Sequence, residues 1–410
     1  MIRRSSIRPI AVWLHRWVGL LMTAFLILEG VSGSVLAFRK PLERWISPQL
    51  FVQARPGVPT LGLAELAKAA ERAAPEARIG YFSVEREQVI FRMEPRTDPA
   101  TGKARPLDFD HLFLDPWSGR ELGRCREGDP SQGKINLVTF IYKLHMNLAA
   151  GESGALILGI VALAWTVDCL LSVYLTLPVA LSRFLARWKP AWGVKWPSST
   201  MRIYFDLHRA GGLWAWPLLF VFAWSSVMFN LYDSVYQPVT KALFGYRSGM
   251  DEYQALLQRR HAIPPPRLDW RMAQAAGERL MARAATEHGF KVERPYGMAY
   301  LGDVGVYTYA VVSSLRVQDS GWSTSLWLDS DTGELIDLDL PSGQRAGNTV
   351  DVWLRAIHFA DLRNALFFRA LVCVLGLVVT ALSVTGVYIW LRKRRARRFR
   401  PASTLTGAPS

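Results

Sequence analysis

The sequence predicts an integral membrane protein: a four-helix transmembrane bundle built from a tandem repeat, carrying two extracytoplasmic α+β modules. Three observations predict it. Four long apolar runs interrupt the 410 residues, the basic residues gather in three segments between and beyond those runs, and the same landmarks recur in the same order in both halves.

The apolar runs are Val18–Phe38, Ala155–Leu181, Leu213–Leu231 and Ala370–Leu391. Each is about the 20 residues that a helix needs to cross a hydrocarbon core of about 30 Å. The first is too long for a cleaved signal peptide, and no small-residue cleavage site precedes Arg39 and Lys40. The expected organisation is an arm and first span at 1–38, an outer module at 39–154, a second span at 155–181 and a linker at 182–209. A third span at 210–231, a second outer module at 232–369, a fourth span at 370–391 and a tail at 392–410 follow.

The net charge of +15 is a topology signal. The arm holds Arg3, Arg4, Arg8 and Arg16. The linker holds Arg183, Arg187, Lys189, Lys195, Arg202 and Arg209 against Asp206. The tail holds Arg392, Lys393, Arg394, Arg395, Arg397, Arg398 and Arg400. Together these segments carry +16, so the rest of the chain is nearly neutral. Four crossings place all three on one side, the cytoplasmic one by the positive-inside rule, with both large segments in the periplasm of a Gram-negative cell. The basic runs face membrane lipid and carry no binding motif, so no nucleic-acid partner is expected. Cys125, Cys169 and Cys373 form neither a disulfide framework nor a paired metal motif. Many of the sixteen tryptophans, among them Trp13, Trp17, Trp192, Trp214 and Trp390, fall near span ends as an aromatic belt does.

The halves correspond element by element. Leu14-His15-Arg16 opens the first and Leu207-His208-Arg209 the second. An amphipathic helix follows in each, Leu63–Ala74 and Trp270–His288, then strand-like stretches at Arg78–Met93 and Ala299–Ser313. Leu112–Leu122 and Leu326–Ile336 each read as strand, Asp/Gly turn, strand. A short stretch with one histidine leads into the next span, Ile135–Ala150 with His145 and Thr349–Leu362 with His358. The interval from Gly119 to His145 is 26 residues and that from Gly333 to His358 is 25. Small residues Gly30, Ser32, Gly33 and Ser34, and Gly376, Ser383 and Gly386, provide close helix contacts, and Pro217 is expected to bend the third span.

Four of the seven histidines therefore sit at span ends in two corresponding sets. A two-fold axis along the bundle pairs His15 with His208 near the cytoplasmic face and His145 with His358 near the outer face. Facing imidazoles at one depth are what two axial ligands of a haem iron require, and bundle cores commonly hold such cofactors. A zinc site is the competing reading, weakened because neither pair has a carboxylate or cysteine beside both members. A single histidine at a helix end is ordinarily an interface anchor. Met146 is set aside as a ligand because its counterpart is Phe359. His111, His261 and His288 have no partner at a telling spacing. Glu29 and Asp168 lie inside spans, where an ionisable side chain needs a partner or a role.

These residues resemble the PepSY-associated transmembrane helix family over roughly positions 10–395, through His15-Arg16-Trp17, Lys143-Leu144-His145, Asp206-Leu207-His208-Arg209 and Ile357-His358-Phe359. The resemblance extends to its ferric-siderophore reductases of the FoxB type. It implies PepSY-like outer modules, two b-type haems with His15, His208, His145 and His358 as axial ligands, and reduction of a periplasmic ferric siderophore or other ferric chelate. No dinucleotide fingerprint occurs in the basic segments. Electrons are therefore expected from a quinol or a separate cytoplasmic reductase. Two other classes compete: a siderophore or iron transport accessory without redox chemistry, and a PepSY-type sensor or protease-regulating module.

Overall fold

The computed structural model describes residues 4–97, 101–259, 265–318, 324–362 and 365–398; His261 lies outside them. In chain order the elements are α1 (Arg4–Leu36), α2 (Arg39–Ile46), α3 (Leu63–Ala73), β1 (Ala77–Val84), β2 (Val89–Pro95), β3 (His111–Leu114), β4 (Glu121–Cys125), α4 (Leu137–Asn147), α5 (Gly151–Thr176), α6 (Phe184–Trp188) and α7 (Thr200–Asn230). They continue as α8 (Gln237–Leu243), α9 (Gly249–Arg259), α10 (Trp270–His288), β5 (Val292–Leu301), β6 (Val306–Ser313), β7 (Ser325–Asp329), β8 (Leu335–Asp339), α11 (Ala346–His358) and α12 (Ala365–Arg398). The chain divides into a helical unit of Met1–Val35, His145–Leu231 and Ala370–Ser410, and a sheet unit of Leu36–Leu144 and Tyr232–Arg369.

The helical unit holds four helices long and apolar enough to cross a membrane: Ile7–Leu36, Gly151–Thr176, Thr200–Asn230 and Ala365–Arg397. The protein is a multi-pass membrane protein. Leu26, Cys169, Leu219, Ala223, Leu375 and Val379 bring all four helices into one apolar core. Large apolar side chains such as Leu21, Ile160, Leu170, Val374 and Leu377 are exposed, as lipid-facing residues are. Trp216 Nε1 donates to the Cys169 carbonyl at 2.8 Å, tying α7 to α5. Between α1 and α12 the backbones nearly touch, for a Cβ on Gly30 would stand 2.6 Å from the Gly376 carbonyl oxygen. Such close approach is open only to small residues.

Contacts at one end fix the helix directions. Arg8, near the start of α1, donates to the Leu175 carbonyl at 2.6 Å and the Leu177 carbonyl at 3.1 Å, at the end of α5. Lys393, late in α12, lies 5.4 Å from the Phe205 ring, early in α7. Consecutive spans are therefore antiparallel, and the arm, the linker and the end of α12 gather at one end of the helical unit.

The sheet unit is built on a single eight-stranded antiparallel sheet in the order β4-β3-β2-β1-β5-β6-β7-β8. Helices α3 and α10 cover one face, joined by the Ala64 N–H donating to Gln274 Oε1 at 2.7 Å. Leu66, Phe82, Phe91, Leu112, Met298 and Leu326 fill the core between helices and sheet. Part of the opposite face, at Val304 and Val306, is covered by Leu256 of α9. The expected hairpins form as β3–β4 and β7–β8. Asp115 Oδ1 accepts the Trp117 N–H at 2.8 Å, Asp329 Oδ1 accepts the Thr332 N–H at 2.9 Å, and Gly119 and Gly333 take the left-handed conformation at φ +66° and +72°. Asp/Gly turns favour this geometry.

Three features differ from the sequence reading. The two α+β segments are not separate modules, because β1 pairs with β5 at Tyr81↔Ala299, Phe82↔Met298 and Ser83↔Gly297. Gly297 is needed there: a Cβ on it would lie 2.1 Å from the Phe82 carbonyl oxygen. Helices α1 and α7 begin well before their apolar runs, so His15 and His208 lie within helices rather than at their starts. Hydropathy marks the lipid-dwelling stretch, whereas backbone hydrogen bonding carries the helix on through amphipathic residues. Short helices α2, α8 and α9 were not anticipated, being too brief or too charged to show a long periodicity. Helix α7 is continuous through Pro217.

Candidate functional site

His15 of α1 and His208 of α7 face one another with ring centroids 6.2 Å apart and ring planes at 58°. Each imidazole is held from behind at Nδ1. Asp168, near the end of α5, approaches His15 Nδ1 with Oδ1 at 2.9 Å and Oδ2 at 3.1 Å. Thr385 Oγ1 lies 3.1 Å from His208 Nδ1. The Thr385 hydroxyl donates to the Ala381 carbonyl at 2.7 Å, so its oxygen accepts from the imidazole. An imidazole protonated at Nδ1 donates to each of these oxygens, and in that tautomer its Nε2 lone pair is open to a ligand. The site draws on all four spans: α1 and α7 supply the rings, α5 and α12 the groups that orient them.

His145, in the last turn of α4, meets α1 at a second level. Glu29 Oε2 and Ser32 Oγ each lie 2.9 Å from its Nδ1. Ser32 donates its hydroxyl proton to the Leu28 carbonyl at 2.6 Å, which again leaves an oxygen to accept from Nδ1. From His15 to the Glu29–Gly33 stretch is roughly 24 Å along the helix at 1.5 Å per residue. The helical unit thus has two separate imidazole levels, each with an intramembrane carboxylate beside a histidine.

Two glycines make room for the rings. A Cβ on Gly386 would meet His208 Cε1 at 3.3 Å, and one on Gly33 would meet His145 Cε1 at 3.1 Å. In sequence these glycines read as helix-packing residues. Gly30 and Gly376 do that work, while Gly33 and Gly386 clear space for imidazoles. Asp206, of the second Asp-Leu-His-Arg stretch, is buried and pairs with Arg202 and Arg209, both at 2.8 Å, which braces the start of α7.

His358 is the last residue of α11 and belongs to the sheet unit, unlike His15, His145 and His208. On its helix Asp351 pairs with Arg355 at 3.4 Å. The other described histidines, His111 and His288, have structural places. His111 on β3 donates from Nδ1 to Asp110 Oδ1 at 2.8 Å. Burial opposes the Asp110 charge, but His111, the Glu127 N–H and Arg92 outweigh it and hold this carboxyl at about 2. His288 is exposed in the last turn of α10.

Among the described residues no group of three or more His, Cys, Asp and Glu is arranged to hold a metal ion by itself. What the geometry offers is a pair of imidazoles presented toward each other inside a bundle. The family described as the PepSY-associated TM region matches residues 12–393, and the chain belongs to that family. It matches no curated protein.

Proposed function

We propose that the protein is a di-haem b oxidoreductase of the bacterial inner membrane that passes electrons outward to a periplasmic ferric siderophore or other ferric chelate, releasing Fe(II). The observation that carries this reading is the His15–His208 spacing of 6.2 Å. His15 from α1 and His208 from α7 would hold the haem iron between them. His145 and His358 are proposed as the second pair.

Bound between such pairs, a haem supplies one-electron transfer, and two imidazole ligands leave no open position for oxygen. The chain's own residues do the rest. Asp168, Thr385, Glu29 and Ser32 hold the rings in the tautomer that offers Nε2. Gly33 and Gly386 leave the rings free to stand where they do. Two levels roughly 24 Å apart along α1 suit a path across the membrane better than a single centre. The basic end of the helical unit is assigned to the cytoplasm. Both termini then lie inside and residues 39–154 and 232–369 outside, with a quinol or a separate reductase as electron donor. The recurrence of one helix and four strands on each side of the β1–β5 seam supports a tandem repeat of PepSY-like modules.

The test is the spectrum of the purified protein. The expected result is a b-type reduced-minus-oxidised spectrum, two haems per chain, and reoxidation of the reduced protein by a ferric siderophore. His15→Ala and His208→Ala should remove one and the same haem, His145→Ala and His358→Ala the other. A colourless protein from haem-replete cells overturns the reading in favour of a transport accessory or a sensor. If His145→Ala removes the haem that His15→Ala removes, the pairing is wrong.

A further inference from the structure

Asp168 and Glu29 share an unusual situation. Each lies within a membrane-spanning helix, with side-chain exposure of only 11 % and 21 %. Among the described residues neither meets a lysine or arginine, and the polar side chain at each is a histidine, His15 for Asp168 and His145 for Glu29. Glu29 Oε1 is buried and has no hydrogen-bond partner among the described residues. A lone anion at such a depth is costly unless something compensates it. A neutral imidazole donating one hydrogen bond does not cancel a full charge. The core of a ferric haem would, since three positive charges on iron exceed the two negative charges of the porphyrin nitrogens by one, the propionates standing apart at the ring's edge. The ferrous haem leaves the carboxylate uncompensated. The two facing ligands are also unequal, for His208 rests on the neutral Thr385 hydroxyl where His15 rests on a carboxylate.

We propose that Asp168 and Glu29 are positioning residues that bias the two haem levels toward the ferric state, Asp168 through His15 and Glu29 through His145. This rests on the haem reading above. A carboxylate on the far nitrogen raises the basicity of a ligating imidazole and fixes its orientation. Greater basicity and the adjacent negative charge both favour Fe(III). The consequence is a low reduction potential at each level, so electrons reaching the outer level retain the drive to reduce tightly chelated iron. One carboxylate per level lets each potential be set separately.

The experiment is a potentiometric titration of the full-length protein in detergent, with haem content measured alongside. The wild-type chain comes first: if it binds no haem, the underlying reading fails, independently of anything about the carboxylates. Asp168→Asn should keep two haems and shift the reduction equilibrium of one of them about tenfold toward Fe(II), about 59 mV for one electron, with the other unmoved. Glu29→Gln should shift only the other haem. Asp168→Glu should return the potential toward the wild-type value. Loss of a single haem in Asp168→Asn that Asp168→Glu restores also supports the positioning role. Unchanged potentials in both variants, equal shifts of both haems by either variant, or loss of both haems overturn the proposal.

Discussion

Gly386 of α12 lies against the His208 ring so closely that its missing side chain is part of the site: a Cβ there would stand 3.3 Å from Cε1. Gly386→Ala requires the imidazole to give by a few tenths of an ångström, and a larger side chain displaces it. Gly386→Leu is expected to lower the haem content from two per chain to about one, because overpacking forces neighbouring side chains out of position. Gly19→Leu, where a Cβ meets nothing within 4 Å, should leave the content unchanged. Pyridine haemochrome assay of both purified variants checks this. Equal haem content in the two would remove Gly386 from the site.

The seam of the sheet is similarly intolerant. Gly297→Val sets a side chain against the Phe82 carbonyl, only 2.1 Å from the Cβ position. It should cost about 3 kcal/mol, the upper end for overpacking. Faster amide hydrogen exchange in β1 and β5 than in β3 and β7 would locate the damage. Exchange unaltered at the seam would show that the β1–β5 pairing does not depend on this glycine.

Asp339, on β8, is expected to make the sheet unit sensitive to pH. Burial, and then the neighbouring Asp337 charge, push this carboxyl up to about 6, although Arg247, Trp327 and Arg345 pull the other way. An acid raised on folding contributes stability that is complete below its unfolded value near 4 and is lost as pH rises through about 6. Asp339→Asn stays neutral, so its thermal melting should vary less between about pH 4 and pH 7. After allowance for partial solvent screening, the gain at neutral pH is about 1 kcal/mol. Parallel pH profiles of the two proteins would contradict the assignment.

Membrane sidedness is open to labelling. Ser118 is exposed in the β3–β4 turn, whereas Cys125 is buried and burial raises its thiol to about 12. Cys169 is buried and Cys373 partly exposed, so Cys373→Ser gives a quiet background. In that background Ser118→Cys should react with an impermeant maleimide added to intact spheroplasts. Labelling only after the membrane is opened would reverse the orientation.

Local patterns were legible in the sequence. Trp270–His288 is a helix with the bounds expected, both Asp/Gly hairpins form, and His15 and His208 come to one level. What escaped was non-local or chemically plain. Pairing of β1 with β5 joins segments more than two hundred residues apart, and nothing in either strand alone announces the other. Thr385 and Ser32 look like ordinary small residues of a membrane helix until an imidazole is seen against each. Asp168 and Glu29 stood out as charges in apolar runs, but their partners emerge only when the helices are packed. Gly33 and Gly386 could not be told from Gly30 and Gly376, because a glycine that admits a ring and one that admits a backbone share the same lack of a side chain.

The union of β1 with β5 has a consequence for how the protein is made. Synthesis of β1 precedes that of β5 by two whole membrane spans, α5 and α7. Until the later strand has been made, the nascent first half presents a bare strand edge of the kind that invites wrong partners. Completion of the sheet is thereby tied to synthesis of the middle two long helices, so that a chain stalled halfway is left visibly unfinished to the cell's quality control.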